Sequence, residues 1–129
     1  MATLAMVASV ATTATTATTA FAAFDVVVVP FPFTDRNASK RRPALVLSHA
    51  SFNQTTQHSV LAMVTSADQS AWLGDCPLKN LTSAGLTSAC LVRLKLFTLD
   101  HRLIIRKSGS LSVTDQRQLR SAWKGLLAF

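Results

Sequence analysis

Three consecutive cations, Lys40, Arg41 and Arg42, stand directly before a proline, Pro43, that opens an apolar run, "PALVLS". A residue before proline is biased toward extended backbone, which fixes the direction in which the Arg42 side chain leaves the chain. Arginine stays charged at any relevant pH, and its planar fork matches two oxygens of a phosphate. At the root of a strand it is also less mobile than at a loop tip. Lys40 and Arg41 add attraction over a longer range. Such a group can hold a phosphodiester and stabilise negative charge that develops on it. The plain alternative is a solvated basic loop between two strands.

The totals point the same way. The chain has 129 residues, the size of one domain, and its 49% hydrophobic residues suffice for a core. The net charge is +7, and the sequence contains no Glu, so its acidic side rests on Asp alone. This balance favours a polyanionic partner such as nucleic acid, or else an acidic protein, over a surface that is basic only for solubility. Cys76 and Cys90 belong to no CxxC pair and have no His at ligand spacing. That argues against a structural zinc site and a disulfide framework, and fits two reduced thiols in a cytoplasmic protein. The opening Ala/Thr repeat, residues 1–23, lacks the cationic start of a signal peptide and carries too many Thr for a membrane span. It reads as a disordered or loosely helical tail, or as a start codon placed too early, with the fold beginning near Phe24.

These residues need a frame. "DVVVVPF" is a short apolar strand ended by "PFPFTD", where Pro30 and Pro32 oppose a regular central ladder. "TDRNASKRRP" follows as an exposed loop. "PALVLS" (43–48) and "HSVLAMVTS" (58–66) are the next strands, separated by a polar loop, "HASFNQTTQ". "ADQSAWLGD" is turn-prone, "DCPLKN" gives at most a short edge strand, and "SACLVRLK" (88–95) is another strand. "RLIIRKSG" (102–109) is either a strand or the end of a helical turn. Apolar residues then recur at Leu119, Trp123, Leu126 and Leu127 with helical spacing. Ser112 followed by Asp115 resembles a capping box at the start of that helix. The whole is expected to be mainly β, a small antiparallel barrel with a C-terminal helix, over residues 24–129.

The stretches "DVVVVPFPFTD…KRRPALVLS", "AMVTSA", "CPL…AGL…SACLVRLKLFTLD" and "GSLS" before a helix resemble the MazF/PemK family of toxin–antitoxin endoribonucleases, over residues 24–128. The resemblance implies an SH3-like barrel, usually a homodimer, that cleaves single-stranded RNA, commonly mRNA, without a metal or other cofactor. It also implies an antitoxin partner whose acidic tail occupies the RNA groove. By the same resemblance Arg42 is a principal catalytic residue, joined by Thr65 with Ser66 beside it and by Arg93 on a later strand. Two departures stand out. Many members carry a Glu where this chain has Asn37, and some carry an Asp where it has Lys95.

For such a reaction RNA supplies its own nucleophile, the 2′-OH. Arg42 would stabilise the anionic phosphorane. Thr65 and Ser66 would hold a phosphate oxygen, with ordinary strand-end hydrogen bonding as their alternative role. Lys40, Arg41 and Asn37 would contact RNA, and Phe33, with Phe31 and Phe52, could stack on bases. Trp72 suits either RNA stacking or a protein interface. His49 and His58 are weak candidates for a proton acceptor. Asp35 reads as a structural partner of Arg42, and His101 as structural. With both familiar carboxylates missing, a catalytically silent RNA- or antitoxin-binding module of the same fold is the competing expectation.

Overall fold

A computed structural model describes residues 20–31 and 40–129. The strands are β1 (Asp25–Phe31), β2 (Lys40–Val46), β3 (His58–Ser66), β4 (Cys76–Pro77), β5 (Cys90–Asp100) and β6 (Arg106–Ser110). The helices are α1 (Ala50–Thr56), α2 (Leu81–Ala84) and α3 (Val113–Trp123), and a 3-10 turn spans His101–Leu103. The strands form one antiparallel sheet in the order β4-β5-β3-β2-β1-β6. It curls into a half-barrel with the C-terminal helix packed on it, a mainly β architecture as the sequence indicated.

Alternate residues of one strand enter opposite cores. Val26, Leu45, Ala62, Val64 and Val92 join Leu119 and Trp123 of α3. Val27, Val29, Ala44, Val46 and Leu61 join Phe21, Leu99 and Ile104. A sheet covered on both faces has no need of a polar face, which explains the unbroken valine run in β1. Pro30 does not break β1. It pairs with Arg41 of β2, beyond Val28, the last residue of β1 to pair with β6. Pro43 likewise precedes the β2–β3 ladder, which begins at Ala44. Each proline's missing N–H therefore falls where no third strand asks for it.

Two expectations are corrected. Lys40, Arg41 and Arg42 do not belong to a loop: they open β2, opposite Phe31, Pro30 and Val29. "HASFNQTTQ" is not a loop either, because it contains α1. No apolar periodicity marks that helix. It is held by Asn53, fully buried, whose Nδ2 donates to the carbonyls of Phe21 (2.9 Å) and Ser48 (3.0 Å). Gln57, at φ 55°, ends it. Phe21 is itself buried, so packing starts a few residues before Phe24.

The two sheet edges are joined by α2 rather than by a ladder. Ser83 Oγ donates to the Ser110 carbonyl (2.7 Å), and Ser108 Oγ donates to the Ala84 carbonyl (2.9 Å). The seam tolerates no Cβ: one on Gly85 would lie 2.1 Å from the Ser108 carbonyl oxygen, and one on Gly109 2.2 Å from that of Ser83. The start of α3 locks the same region. Ser112 caps the helix by accepting from the Asp115 N–H (3.2 Å). The Asp115 carboxylate, fully buried, accepts from the N–H groups of Lys79 (3.0 Å) and Asn80 (2.9 Å).

Asp115→Ala strips the partner from two backbone donors at once. Unsatisfied donors cost about 1–3 kcal/mol each, so the variant is expected to lose about 3 kcal/mol. A urea denaturation series measures that loss, and the melting temperature should fall by roughly 10–20 °C.

Candidate functional site

Strand alternation divides the three cations. Arg42 shares a face with Ala44 and Val46, whereas Arg41 shares the other with Pro43 and Leu45. The Arg42 guanidinium lies over the Phe31 ring, 4.8 Å from its centre. Its Nε is buried and has no hydrogen-bond partner among the described residues. A buried guanidinium N–H without an acceptor is costly and marks a place where a ligand oxygen fits. Extending the β2–β3 register by two residues from Ala44↔Met63 sets Arg42 opposite Thr65, with both side chains on one face. Thr65 is half-buried, and its hydroxyl makes no hydrogen bond among the described residues. Ser66, next along, donates from Oγ to Asp68 Oδ1 (2.5 Å).

On the Arg41 side the end of the half-barrel opens as a pocket of about 270 Å³. Val28, Arg41, Arg42 and Pro43 form one wall, Arg106 and Ser108 of β6 a second, and Gly85, Leu86, Thr87, Ser88 and Cys90 a third. Three arginines and three side-chain hydroxyls over an apolar floor make a basic mouth suited to an anion. Thr87 and Ser88 were not singled out by sequence reasoning, whereas Arg106 is one of three cations, with Arg102 and Lys107, that extend the basic field of the sequence. The surplus of cations in "RLIIRKSG" was the available signal, and nothing local marked the hydroxyls of Thr87 and Ser88. Burial pushes the Cys90 thiol up, as it does that of Cys76, and neither is in a disulfide. Among the described residues no group of three potential metal ligands occurs.

Arg93 has a different setting. It is 9% exposed and held at two nitrogens: Nε donates to Asp75 Oδ1 (3.0 Å), and Nη2 to Asp75 Oδ2 (2.9 Å) and to the Ser70 carbonyl (2.5 Å). Asp75 Oδ2 also accepts from the Trp72 N–H (3.0 Å). Arg93 therefore fixes the loop between β3 and β4. The hydrogen bond from Arg93 holds the Asp75 carboxyl below the usual carboxylate range, against the opposing push of burial, with help from the Trp72 N–H. Lys95 Nζ sits over the Trp72 ring, 4.4 Å from its centre.

The histidines lie elsewhere. His49 follows β2 and His58 opens β3, so both are at the opposite strand ends from Arg42 and Thr65. Seven steps along β3 separate His58 from Thr65, about 24 Å at strand rise. His101 accepts or donates at Nε2 with Ser59 Oγ (2.8 Å) and meets the edge of Phe21. Lys40 is exposed at the start of β2. Phe33, Asp35 and Asn37 lie outside the described residues.

A small curled β-sheet thus carries a basic mouth and an arginine–threonine pair at the end of two central strands. Residues 22–127 match the model of the PemK-like, MazF-like toxins of type II toxin–antitoxin systems, and the chain belongs to that family, whose members are generally endoribonucleases. Solved structures agree on the fold. MazE–MazF (Form-III) from Deinococcus radiodurans is similar with a TM-score of 0.67 and 24% identity, over 86% of this chain and 99% of that one. The Mycobacterium tuberculosis toxin MazF-mt6 gives 0.61 and 17%, over 76% and 90%. An endoribonuclease in complex with its cognate antitoxin from a mycobacterial species gives 0.65 and 13%, over 83% and 95%. No curated protein sequence matches the chain. Among the described residues no helix is long and apolar enough to cross a membrane.

The Asp75–Arg93 pair carries a pH signature. The unfolded chain takes up the Asp75 proton near a pH of about 4, and the folded chain only at lower pH. The pair's stabilisation is therefore complete above about pH 5 and is lost as pH falls through the folded value. Asp75→Asn should be less stable at neutral pH and should lose less stability than the wild type between about pH 5 and pH 3. Urea midpoints measured across that range check both. Asp100, held down to about 2 chiefly by its hydrogen bond from Arg102, responds alike in both proteins and cancels.

Proposed function

We propose that the chain is the toxin of a type II toxin–antitoxin pair, an endoribonuclease that cuts single-stranded RNA, mRNA among it, in the cytoplasm. Family membership supports the class. The observation that carries the reading is the Arg42 guanidinium, stacked on Phe31 with a buried Nε that has no partner among the described residues; the extended β2–β3 register sets Thr65 opposite it. In this reading the RNA 2′-oxygen attacks the adjacent phosphorus while its proton leaves to a base, and the bond to the 5′-oxygen breaks as that oxygen gains a proton. The products are a 2′,3′-cyclic phosphate and a 5′-OH. No metal or other cofactor is required.

Arg42 neutralises the charge that builds on the non-bridging oxygens, and Thr65 donates to one of them. Lys40 and Arg41 hold flanking phosphates on the two faces of β2, with Ser66, Asn37 and Phe33 completing the RNA contacts. Arg93 serves the site by fixing the loop that follows Thr65 and Ser66. Asp68, hydrogen-bonded to Ser66, is the carboxylate at this end of β3 and the proton acceptor to test first. The protein acts as a homodimer, and its antitoxin brings an acidic tail to the same basic groove. The structures of relatives that contain an antitoxin support the partner class.

Purified protein incubated with mixed single-stranded RNA in EDTA should generate 5′-OH ends. Arg42→Ala should slow the cut by about 10²–10³. Arg42→Lys should fail to restore it, because a point charge does not replace the planar fork. RNA retained without cutting, in a wild type of proven fold, would instead favour a silent binding module.

A further inference from the structure

We propose that the Trp72 indole is a stacking platform for one nucleobase of the bound RNA, a short distance along the strand from the phosphate at Arg42. The inference deepens the functional reading above and rests on it. Trp72 is 46% exposed although it sits in a loop that is rigidly built. Its Nε1 donates to the Leu94 carbonyl (3.2 Å), its backbone N–H donates to Asp75 Oδ2, and its carbonyl accepts from the Asp75 N–H (3.1 Å). Asp75 is clamped in turn by Arg93. An exposed apolar ring held by this many bonds is preorganised, so stacking on it costs little ordering entropy.

The ring also has its cation. The β3–β5 register slips between Ala62 and Met63, whose partners are Leu96 and Arg93, so Leu94 and Lys95 bulge from β5. That bulge turns the Leu94 carbonyl to the indole N–H and lays the Lys95 ammonium over the ring. A nucleobase on the open face would complete a stack, with Lys95 within reach of its phosphate. The nearby carboxylates are already engaged, Asp75 by Arg93 and Asp68 by Ser66. A cationic edge beside an aromatic face suits a nucleic acid better than an apolar protein surface.

The position fits as well. Arg93 pairs with Met63, on the face that Thr65 and Arg42 share. Two strand spacings across and two residues along place Arg93 about 12 Å from Arg42, within reach of a few nucleotides of extended RNA. Lys95 occupies the position where some family members carry an acid, and here it supports the ring.

The test uses the full chain and single-stranded 2′-O-methyl oligoribonucleotides of mixed sequence, which keep base and phosphate but lack the nucleophile. Saturation should quench tryptophan fluorescence in the wild type, and the change should vanish in Trp72→Phe, since Trp123 is buried. Trp72→Ala should weaken binding about 10–100-fold, and Lys95→Gln should weaken it less. Unchanged fluorescence at saturation overturns the proposal without need of any variant. So does a folded Trp72→Ala that binds within about twofold of wild type, or quenching by an acidic peptide but not by RNA. If Trp72 variants bind and cut like wild type while Arg42→Ala does not cut, the nuclease reading stands and this one falls. If the wild type neither binds nor cuts RNA, both fall.

Discussion

One buried carboxylate holds the closure of this fold. Asp115 stands at the first turn of α3, where a negative charge is favoured by the helix end, and it accepts from two successive backbone N–H groups just after β4. The helix is thereby fastened to the chain that leads into α2. With α2 seated on β6, the two edges of the sheet are drawn together. The segment from Gly85 to Cys90 then has no choice but to face β1, β2 and β6, and the basic mouth exists because of that juxtaposition. Remove the carboxylate and the mouth loses a wall, although no residue of the mouth has been touched.

Much of this frame could be read from residue order. The bounds of β3 were evident from "HSVLAMVTS", flanked by polar turns, and the capped C-terminal helix followed from Ser112, Asp115 and the apolar spacing after them. What misled was proline. Pro30, Pro32 and Pro43 look like breaks, and so the cations between them looked like loop. Yet Pro30 and Pro43 each lie just beyond the end of the hydrogen-bonded ladder on one side, a fact of sheet order that no local rule contains. Helix α1 was hidden for a related reason: its anchor is Asn53 bonded to Phe21, a tertiary contact across 32 positions. That Arg42 and Thr65 stand at strand ends was legible. The ion pair that engages Arg93 was not, because nothing in "LVRLK" says that Asp75 waits opposite.

The corrected placement changes how the basic run works. As a loop, Lys40, Arg41 and Arg42 would be one mobile patch. As alternate residues of a strand they serve two surfaces with different demands. Arg42 is half-buried, stacked and oriented, suited to a single oxygen at a single place. Arg41 is exposed at the rim of a wide pocket, suited to a chain that passes by. A phosphodiester backbone held from both sides of one strand is gripped more firmly than by three charges on a flexible turn, since fewer degrees of freedom are lost on binding.

Each described aspartate is already spoken for within the chain: Asp25 by Lys107, Asp68 by Ser66, Asp75 by Arg93, Asp100 by Arg102 and His58, and Asp115 by backbone. With the net charge at +7, the described residues offer no free carboxylate surface to meet the cations of a second copy. Two copies of this chain would repel one another at long range, and a contact between them would draw on exposed apolar residues such as Leu73, Leu96 or Phe129. Added electrolyte then pulls in opposite directions, tightening self-association by screening that repulsion while loosening the grip on any polyanion.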